Sequence, residues 1–330
     1  MQNSVAKINI PAIIHNAEFF KKYTGAPLCA VVKGNAYGHG GEKVVSALEG
    51  KASLFAVATI EEGIKIQTAS CQTPILVFTP PMNREEGVAI CEHGFVATVD
   101  AIEQLSFLKG NSARIHIKVN TGMNRYGAEI EEVELLCRKC KEIAVEVEGI
   151  YSHFYSERER DAKRQAELFD RAVSVCKRYF PSAIAHLSST YGCTYQKRYA
   201  YDMVRVGIGL YGYAPYKRGK TLPLQKAMRV YAPVVKTRVF QGGGIGYGKN
   251  RIFGKGKSFS LIRTGYADGL FRKRKNPLIA KRCMDVSFYA EEKANMLCVM
   301  EDALVWAKKY HTIPHEILCM ITRRAEFFYE

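Results

Sequence analysis

The sequence predicts a (β/α)8 TIM-like barrel followed by a C-terminal, mostly-β domain. Between about residues 27 and 213, short apolar runs alternate with longer amphipathic stretches, the texture of parallel strands joined by helices. Eight such strand–helix units can be counted, the number that closes a barrel. After Gly219 helical periodicity fades and β-branched and aromatic runs take over. A prior of one domain per roughly 150 residues also gives two domains for this chain, or one large barrel with an appendage. The expected limits are 8–219 for the barrel and 220–330 for the β domain, with residues 1–7 as candidates to join the latter.

The strands are expected at Leu28–Val32, Leu54–Ala58, Ile75–Phe78, Phe95–Val99, Arg114–Val119, Val147–Tyr151, Ala183–Leu187 and Met203–Ile208. Each is a short continuous apolar run, as parallel strands covered on both faces require. Helices are expected at 42–49, 61–68, 85–91, 101–108, 129–141 and 162–179, several opening with Glu in the first turn, where the helix dipole favours it. In the C-terminal part, Gly242-Gly243-Gly244 marks a turn, and Arg229–Phe240 and Ser258–Arg263 read as antiparallel strands. A helix around Asp302–Tyr310 and a last strand near Glu316–Thr322 complete the expectation.

Composition narrows the class. Hydrophobic residues at 47% and charged residues at 24% are ordinary for a globular chain. No apolar stretch reaches the roughly eighteen residues of a membrane span, and the N-terminus has no basic start with an apolar follow-on, so a cytoplasmic location without membrane association is expected. Ten cysteines in that setting read as reduced thiols. The net charge is +16, of which residues 221–330 carry +11, notably at Arg272-Lys273-Arg274-Lys275. That run has no interleaved aromatics and no nucleic-acid-binding motif accompanies it, so a solvated surface is expected and no nucleic-acid partner.

Barrel chemistry comes from the C-terminal ends of the strands. The first strand runs into Lys33-Gly34-Asn35-Ala36-Tyr37-Gly38-His39-Gly40, which aims a lysine at the barrel mouth. A lysine with a lowered pKa there is the nucleophile for Schiff bases with carbonyl compounds, including pyridoxal phosphate. A strand-end lysine can instead snorkel to solvent; the neighbouring glycines and the loops after strands seven and eight weigh against that. Gly207 and Ile208 can offer backbone N–H groups and Thr190 a hydroxyl, the makings of a phosphate cradle.

The run Ala30–Gly40 resembles the cofactor-lysine signature of bacterial alanine racemases. Asn120–Arg125 with Gly127, Ser152–Phe154, His186–Thr190, Arg205–Gly212, Gly246–Gly248, Gly265-Tyr266-Ala267-Asp268-Gly269 and Cys283-Met284-Asp285 resemble further blocks of that family, in order and over nearly the whole chain. The resemblance implies a pyridoxal 5'-phosphate enzyme that interconverts L- and D-alanine, supplies D-alanine for cell-wall peptidoglycan, and works as a homodimer with shared active sites. It assigns cofactor contacts to Lys33, Tyr37, His153, Ser189, Thr190, Arg205, Gly207 and Ile208. Lys33 would hold the cofactor and act as the base on one face of the substrate Cα, with the partner subunit's Tyr266 on the other. Inversion through a planar carbanion needs an acid–base group on each face. A tyrosine acting as a base near neutral pH needs positive charge close by, and His153 and Arg205 are the candidates. Arg205, matching an arginine that faces the pyridine nitrogen, has donors only and would leave that nitrogen unprotonated, weakening the electron sink. Arg125 and Met284 match substrate contacts, and Lys118 matches a lysine that some members carbamylate.

The sequence also departs from the family pattern. Only 16 residues separate Tyr266 from Cys283, where the family usually carries a longer hairpin with a gating tyrosine, so the substrate entrance is expected to be wider or basic. Arg323 stands where a phosphate-touching tyrosine is expected, and an arginine can bind phosphate. Asn120 replaces a common aspartate, with little consequence expected. Cys137-Arg138-Lys139-Cys140 lies in a helical stretch without a second pair and reads as structural. His311 and His315 read as helix-end histidines with no metal site, and Gly242–Gly248 as a turn. A broader amino-acid racemase and a basic amino-acid decarboxylase are the enzyme rivals. A barrel-only cofactor-binding regulator is the rival from another class, opposed by the residues after Thr221.

Overall fold

The computed structural model describes residues 3–108, 113–156, 158–194, 197–214, 221–247, 254–273, 278–290 and 294–330. It forms two compact units. One holds the segment up to Pro11, Tyr37–Gly40 and Lys226–Glu330; the other holds Ala12–Ala36 and Gly41–Gln225.

The chain opens with β1 (Val5–Ile8) and α1 (Ile10–Thr24), neither anticipated from the sequence. The α1 residues Ala12, Ile13, Asn16, Ala17 and Phe20 are buried at helical spacing, and Asn16 Nδ2 donates to the carbonyls of Leu210 and Gln225. Eight parallel strands follow: β2 (Leu28–Val31), β3 (Leu54–Val57), β4 (Ile75–Val77), β5 (Val96–Val99), β6 (Arg114–Lys118), β7 (Glu146–Tyr151), β8 (Ile184–His186) and β9 (Val204–Val206). All eight coincide with expected strands to within a few residues. Their order is β8-β7-β6-β5-β4-β3-β2-β9, and a Ser189–Arg205 bridge joins the two ends into a barrel. β2, β3, β4 and β5 are buried at every residue, which explains why their sequences, apart from Thr98, are apolar without alternation.

The outer helices are α3 (Gly41–Leu48), α4 (Ile60–Gln67), α5 (Arg84–Glu92), α6 (Ile102–Leu108), α7 (Val133–Glu142) and α8 (Glu159–Tyr179); the short α2 (Lys33–Gly38) lies at the end of β2. Thr59 and Asn83 cap α4 and α5 by accepting the N–H of Glu62 and Glu86. Cys137 and Cys140 are buried in α7, and among the described residues no group of three metal-ligating side chains exists.

The second unit is a sheet of order β12-β11-β10-β1-β14, with β13 also on β10: β10 (Met228–Val239), β11 (Ser258–Ile262), β12 (Ser287–Ala290), β13 (Met296–Met300) and β14 (Glu326–Tyr329). Two helices, α9 (Ala303–Tyr310) and α10 (Pro314–Ile321), precede β14. The expected strand at 316–322 is therefore a helix, and the last strand lies at 326–329. The five-residue apolar run Ile317–Ile321 is ambiguous by periodicity, but Pro314 occupies the first turn, where its missing N–H costs nothing, and Ile317, Leu318 and Ile321 bury one helical face. No helix among the described residues is long and apolar enough to cross a membrane.

Candidate active site

Lys33 begins a turn of unusual hand. Gly34, Asn35, Ala36, Tyr37 and Gly38 all have φ between +52° and +76°, a left-handed helical turn. For residues with a Cβ this conformation costs on the order of 1–2 kcal/mol each, so the surroundings must hold it. The Ala36 N–H donates to the Val32 carbonyl at 2.7 Å, and Asn35 Oδ1 accepts the Gly41 N–H at 2.8 Å. The Glu62 carboxylate accepts the N–H groups of Gly34 at 2.6 Å and Ala58 at 2.8 Å. Lys33 is half-buried, with Nζ 5.9 Å from the centre of the Phe78 ring, off the end of β4.

Arg205, on β9, is 3% exposed. Its Nη1 donates to the His186 carbonyl at 2.8 Å and to His186 Nδ1 at 2.9 Å; its Nη2 donates to the carbonyls of Ser152 at 2.6 Å and Leu187 at 3.0 Å and approaches His153 Nδ1 at 3.4 Å. No carboxylate is among these partners, and none of the bonds uses Nε. Because a guanidinium only donates, His186 Nδ1 is an acceptor and His186 carries its proton on Nε2. That proton is donated to His116 Nδ1 at 2.9 Å, which fixes the His116 proton on Nε2 in turn. Burial, and then Arg205, pushes the pKa of His116 down to about 3 and that of His186 well below the ordinary imidazole value. Cys29, beside Arg205 across the β2–β9 pairing, is pushed up to about 12 by burial and stays an unreactive thiol.

Lys118 ends β6, with Nζ 4.5 Å from the centre of the Tyr151 ring. Burial, followed by the charges of Arg205 and Arg125 and against that of Asp100, holds its pKa well below the usual lysine range. Ser152 Oγ donates to the Val119 carbonyl at 2.8 Å, so Thr121 is the donor in its 2.8 Å bond to Ser152. His153 is likewise held neutral, by burial first and then by Arg205, Lys118, Arg125 and Lys33. The positive charge that the sequence reading divided between His153 and Arg205 thus falls to Arg205.

Off β8 and β9, Thr190 Oγ1 accepts the N–H groups of Gly207 at 3.3 Å and Gly209 at 3.1 Å, and Ile208 opens a tight turn. The Thr190 oxygen thus holds two amides while its own proton is left to donate, at the strand ends where barrels of this kind receive phosphate. Lys33, Lys118, Arg125, His153, Ser189, Thr190, Arg205, Gly207 and Ile208 thus all lie on strand ends or loops of the barrel unit.

Tyr37, Tyr266 and Met284 belong to the other unit. The Tyr266 N–H donates to the Cys283 carbonyl at 3.1 Å and the Ala267 N–H to the Met284 carbonyl at 3.0 Å. These bonds set Tyr266, 37% exposed, beside Met284, 51% exposed. Arg324 binds Asp285 at 2.6 Å next to them. The Tyr37 ring lies 5.8 Å from that of His315, at the start of α10. Arg323 is exposed just past the end of α10, and His315, the helix-end histidine of the sequence, is a basic residue against the Tyr37 ring. Its signal was weak: a lone histidine after a proline. Gly248 of the Gly246–Gly248 block, and Arg274 and Lys275 of the basic run, lie outside the described residues.

A closed parallel barrel with cationic and hydroxyl groups at its strand ends, in one chain with a mostly antiparallel β unit, defines a two-unit barrel enzyme. The family model "Alanine racemase, N-terminal domain" matches residues 8–215, and "Alanine racemase, C-terminal domain" matches residues 227–329. Alanine racemase 2 of Caldanaerobacter subterraneus subsp. tengcongensis is 31% identical over 98% of this chain and 94% of its own. The solved alanine racemase of Clostridium difficile 630 superposes with a TM-score of 0.92 at 26% identity, covering 100% of this chain and 96% of its own. A solved alanine racemase from Bartonella henselae with covalently bound pyridoxal phosphate shares the fold at a TM-score of 0.87 and 23% identity, each chain covered fully. The chain belongs to the alanine racemase family, whose members are isomerases.

Proposed function

We propose that this chain racemises alanine with pyridoxal 5'-phosphate, by acid–base chemistry on both faces of the substrate Cα. The supporting observation is the pairing of β2 with β9, which sets the lysine-bearing strand end next to the strand that carries Arg205 and leads to Gly207 and Gly209. The groups fit the cofactor: the Thr190 hydroxyl, whose oxygen accepts two amides and whose proton is left to donate, for a phosphate, a half-buried amine for a carbonyl carbon, and a guanidinium whose Nε is outside its own network for a ring nitrogen. When bound, the cofactor supplies the electron sink that makes the Cα proton removable.

Thr190, Ser189, Gly207, Ile208 and Tyr37 would hold the phosphate, and His153 would lie against the ring. Arg205 would offer donors rather than a carboxylate to the ring nitrogen, which would moderate the sink and restrain side reactions. Arg125 would bind the substrate carboxylate, with Met284 as a further substrate contact. Lys33 Nζ would take or return the Cα proton on one face, and the partner's Tyr266 would do so on the other. This last assignment requires a homodimer. Lys118, whose pKa burial holds well below the usual lysine range, would be the lysine that adds carbon dioxide, and native mass spectrometry would register the adduct. We take 8–219 and 220–330, with 1–7 joining the latter, as domain limits; the β1–β10 pairing supports the last point. The biological reading is a cytoplasmic enzyme that supplies D-alanine to peptidoglycan precursors.

The test is incubation with L-alanine and pyridoxal phosphate in deuterated water, beside a Lys33→Ala control. D-alanine labelled at Cα, absent in the control, is expected. Release of carbon dioxide, or binding of cofactor without exchange, would overturn the proposal.

A further inference from the structure

We propose that Asn120 is the positioning residue of Arg125, acting through an amide clamp that an aspartate could not make. This inference rests on reading Arg125 as the group that holds the substrate carboxylate. Residues 119–128 form a loop between β6 and the turn before α7. Its base is closed by the Val119–Ala128 bridge, with the Asn120 N–H donating to the Ala128 carbonyl at 2.9 Å and the Ala128 N–H to the Lys118 carbonyl at 2.9 Å. Gly127 is tied across to β5 by its N–H bond to Asp100 Oδ2 at 2.7 Å. The stem is thus fixed, but Arg125 rides on the exposed part of the loop, and its direction depends on the backbone beneath it.

The Asn120 side chain supplies that backbone's order. Its Oδ1 accepts the N–H groups of Gly122 at 3.0 Å and Asn124 at 3.1 Å. Its Nδ2 donates to Asn124 Oδ1 at 2.9 Å and to Glu129 Oε1 at 2.7 Å. Two donors and two acceptor positions are all in use, so the hydrogen-bonding capacity of the amide is fully spent. Asn124, the residue before Arg125, has φ +54° and is gripped through both its backbone and its side chain. An aspartate at 120 has the same shape and keeps both acceptor bonds. It loses both donors and sets a second carboxylate against that of Glu129.

The experiment measures steady-state kinetics of the holoenzyme, with L-alanine and propionate as carboxylate probes. Asn120→Asp is expected to raise KM for alanine and Ki for propionate about tenfold near pH 8, with kcat changed much less, the pattern of lost carboxylate binding. Two facing carboxylates share a proton as pH falls, so both constants are expected to recover toward pH 6 in this variant only. Asn120→Asp combined with Glu129→Gln reverses the donor and acceptor of that contact and is expected to restore both constants. Should Asn120→Asp fold poorly, Glu129→Ala, at an exposed position, removes the stem acceptor and is expected to raise both constants about threefold. Unchanged constants in these variants, or a rise that neither low pH nor the double variant reverses, overturn the clamp. Arg125→Ala is the separate control: if it leaves both constants unmoved, the reading of Arg125 fails, whatever Asn120 does.

Discussion

The carboxylate of Glu62 accepts the backbone N–H of Gly34 at 2.6 Å, the first peptide after Lys33, while its other oxygen accepts the N–H of Ala58 at 2.8 Å. It therefore ties the strained left-handed turn to the end of the neighbouring strand β3. Hydrogen bonds to a charged acceptor contribute about 1.5–3 kcal/mol, comparable to the cost of holding one or two residues left-handed. Glu62→Ala is expected to relax the turn and cut kcat by roughly tenfold or more through misplacement of Lys33. Glu62→Gln is expected to fall between, since its NH2 group would oppose one of the two N–H donors. Wild-type kcat in Glu62→Ala would show that the turn holds itself.

Acid sensitivity follows from the His186–His116 pair. Both imidazoles are buried neutral, and the pKa of His116 falls from 6.5 to about 3. The shift is downward, so between those values the unfolded chain binds a proton that the folded chain does not. Stability is full above about pH 6.5 and is lost as pH falls toward 3, at roughly 1.4 kcal/mol per pH unit for each such histidine. Denaturant melts from pH 7 to 4 should show this loss, and His116→Asn should make it shallower. A variant with the wild-type slope would remove His116 from the explanation.

Much of the barrel was legible because its signals are local. Leu28–Val31 and Leu54–Val57 are apolar at every position, since both faces are covered, and such runs followed by amphipathic helices admit few arrangements. Lys33, Arg205 and Thr190 were legible by their place at strand ends. What failed depends on distant partners. Nothing near Pro314–Ile321 says whether its apolar residues meet a helical or a sheet face, and the helix was read as a strand. The histidine relay joins residues 70 apart in sequence, and no spacing rule reaches that far. His315 gains meaning only from the ring of Tyr37.

Arg282 is buried in the second unit, and among the described residues no carboxylate is one of its hydrogen-bond partners. It donates to the Phe271 carbonyl, Ser287 Oγ and the hydroxyls of Tyr310 and Tyr289, with Trp306 5.3 Å away. Ser287 Oγ in turn donates to the Thr264 carbonyl at 2.6 Å, two residues before Tyr266. Arg282→Lys keeps the charge but not the planar fork, and is expected to destabilise the protein by about 2–4 kcal/mol. Urea unfolding measures this; a loss within error would mean that a point charge satisfies the cluster.

Gly265 offers the sharpest test of the spacing between Tyr266 and Met284. Its φ of −144° is ordinary extended backbone, so dihedral strain does not require glycine there. Close approach does: a Cβ would fall on the carbonyl groups of Met284 and Cys283, backbone atoms that cannot turn aside. Those carbonyls accept the N–H groups of Ala267 and Tyr266, so Gly265→Ala must part the two segments at the point where they are joined. If Tyr266 and Met284 serve one substrate as proposed, kcat/KM is expected to fall by about 10²-fold, because a displacement near 1 Å carries a penalty of that order. Tyr266→Phe removes the hydroxyl while leaving the backbone contacts, and should slow exchange on one face only. Deuterium incorporation from each enantiomer separates the two effects: Gly265→Ala should slow exchange from both, and Tyr266→Phe should slow one selectively. Full activity in Gly265→Ala would mean that this spacing is not used in the reaction.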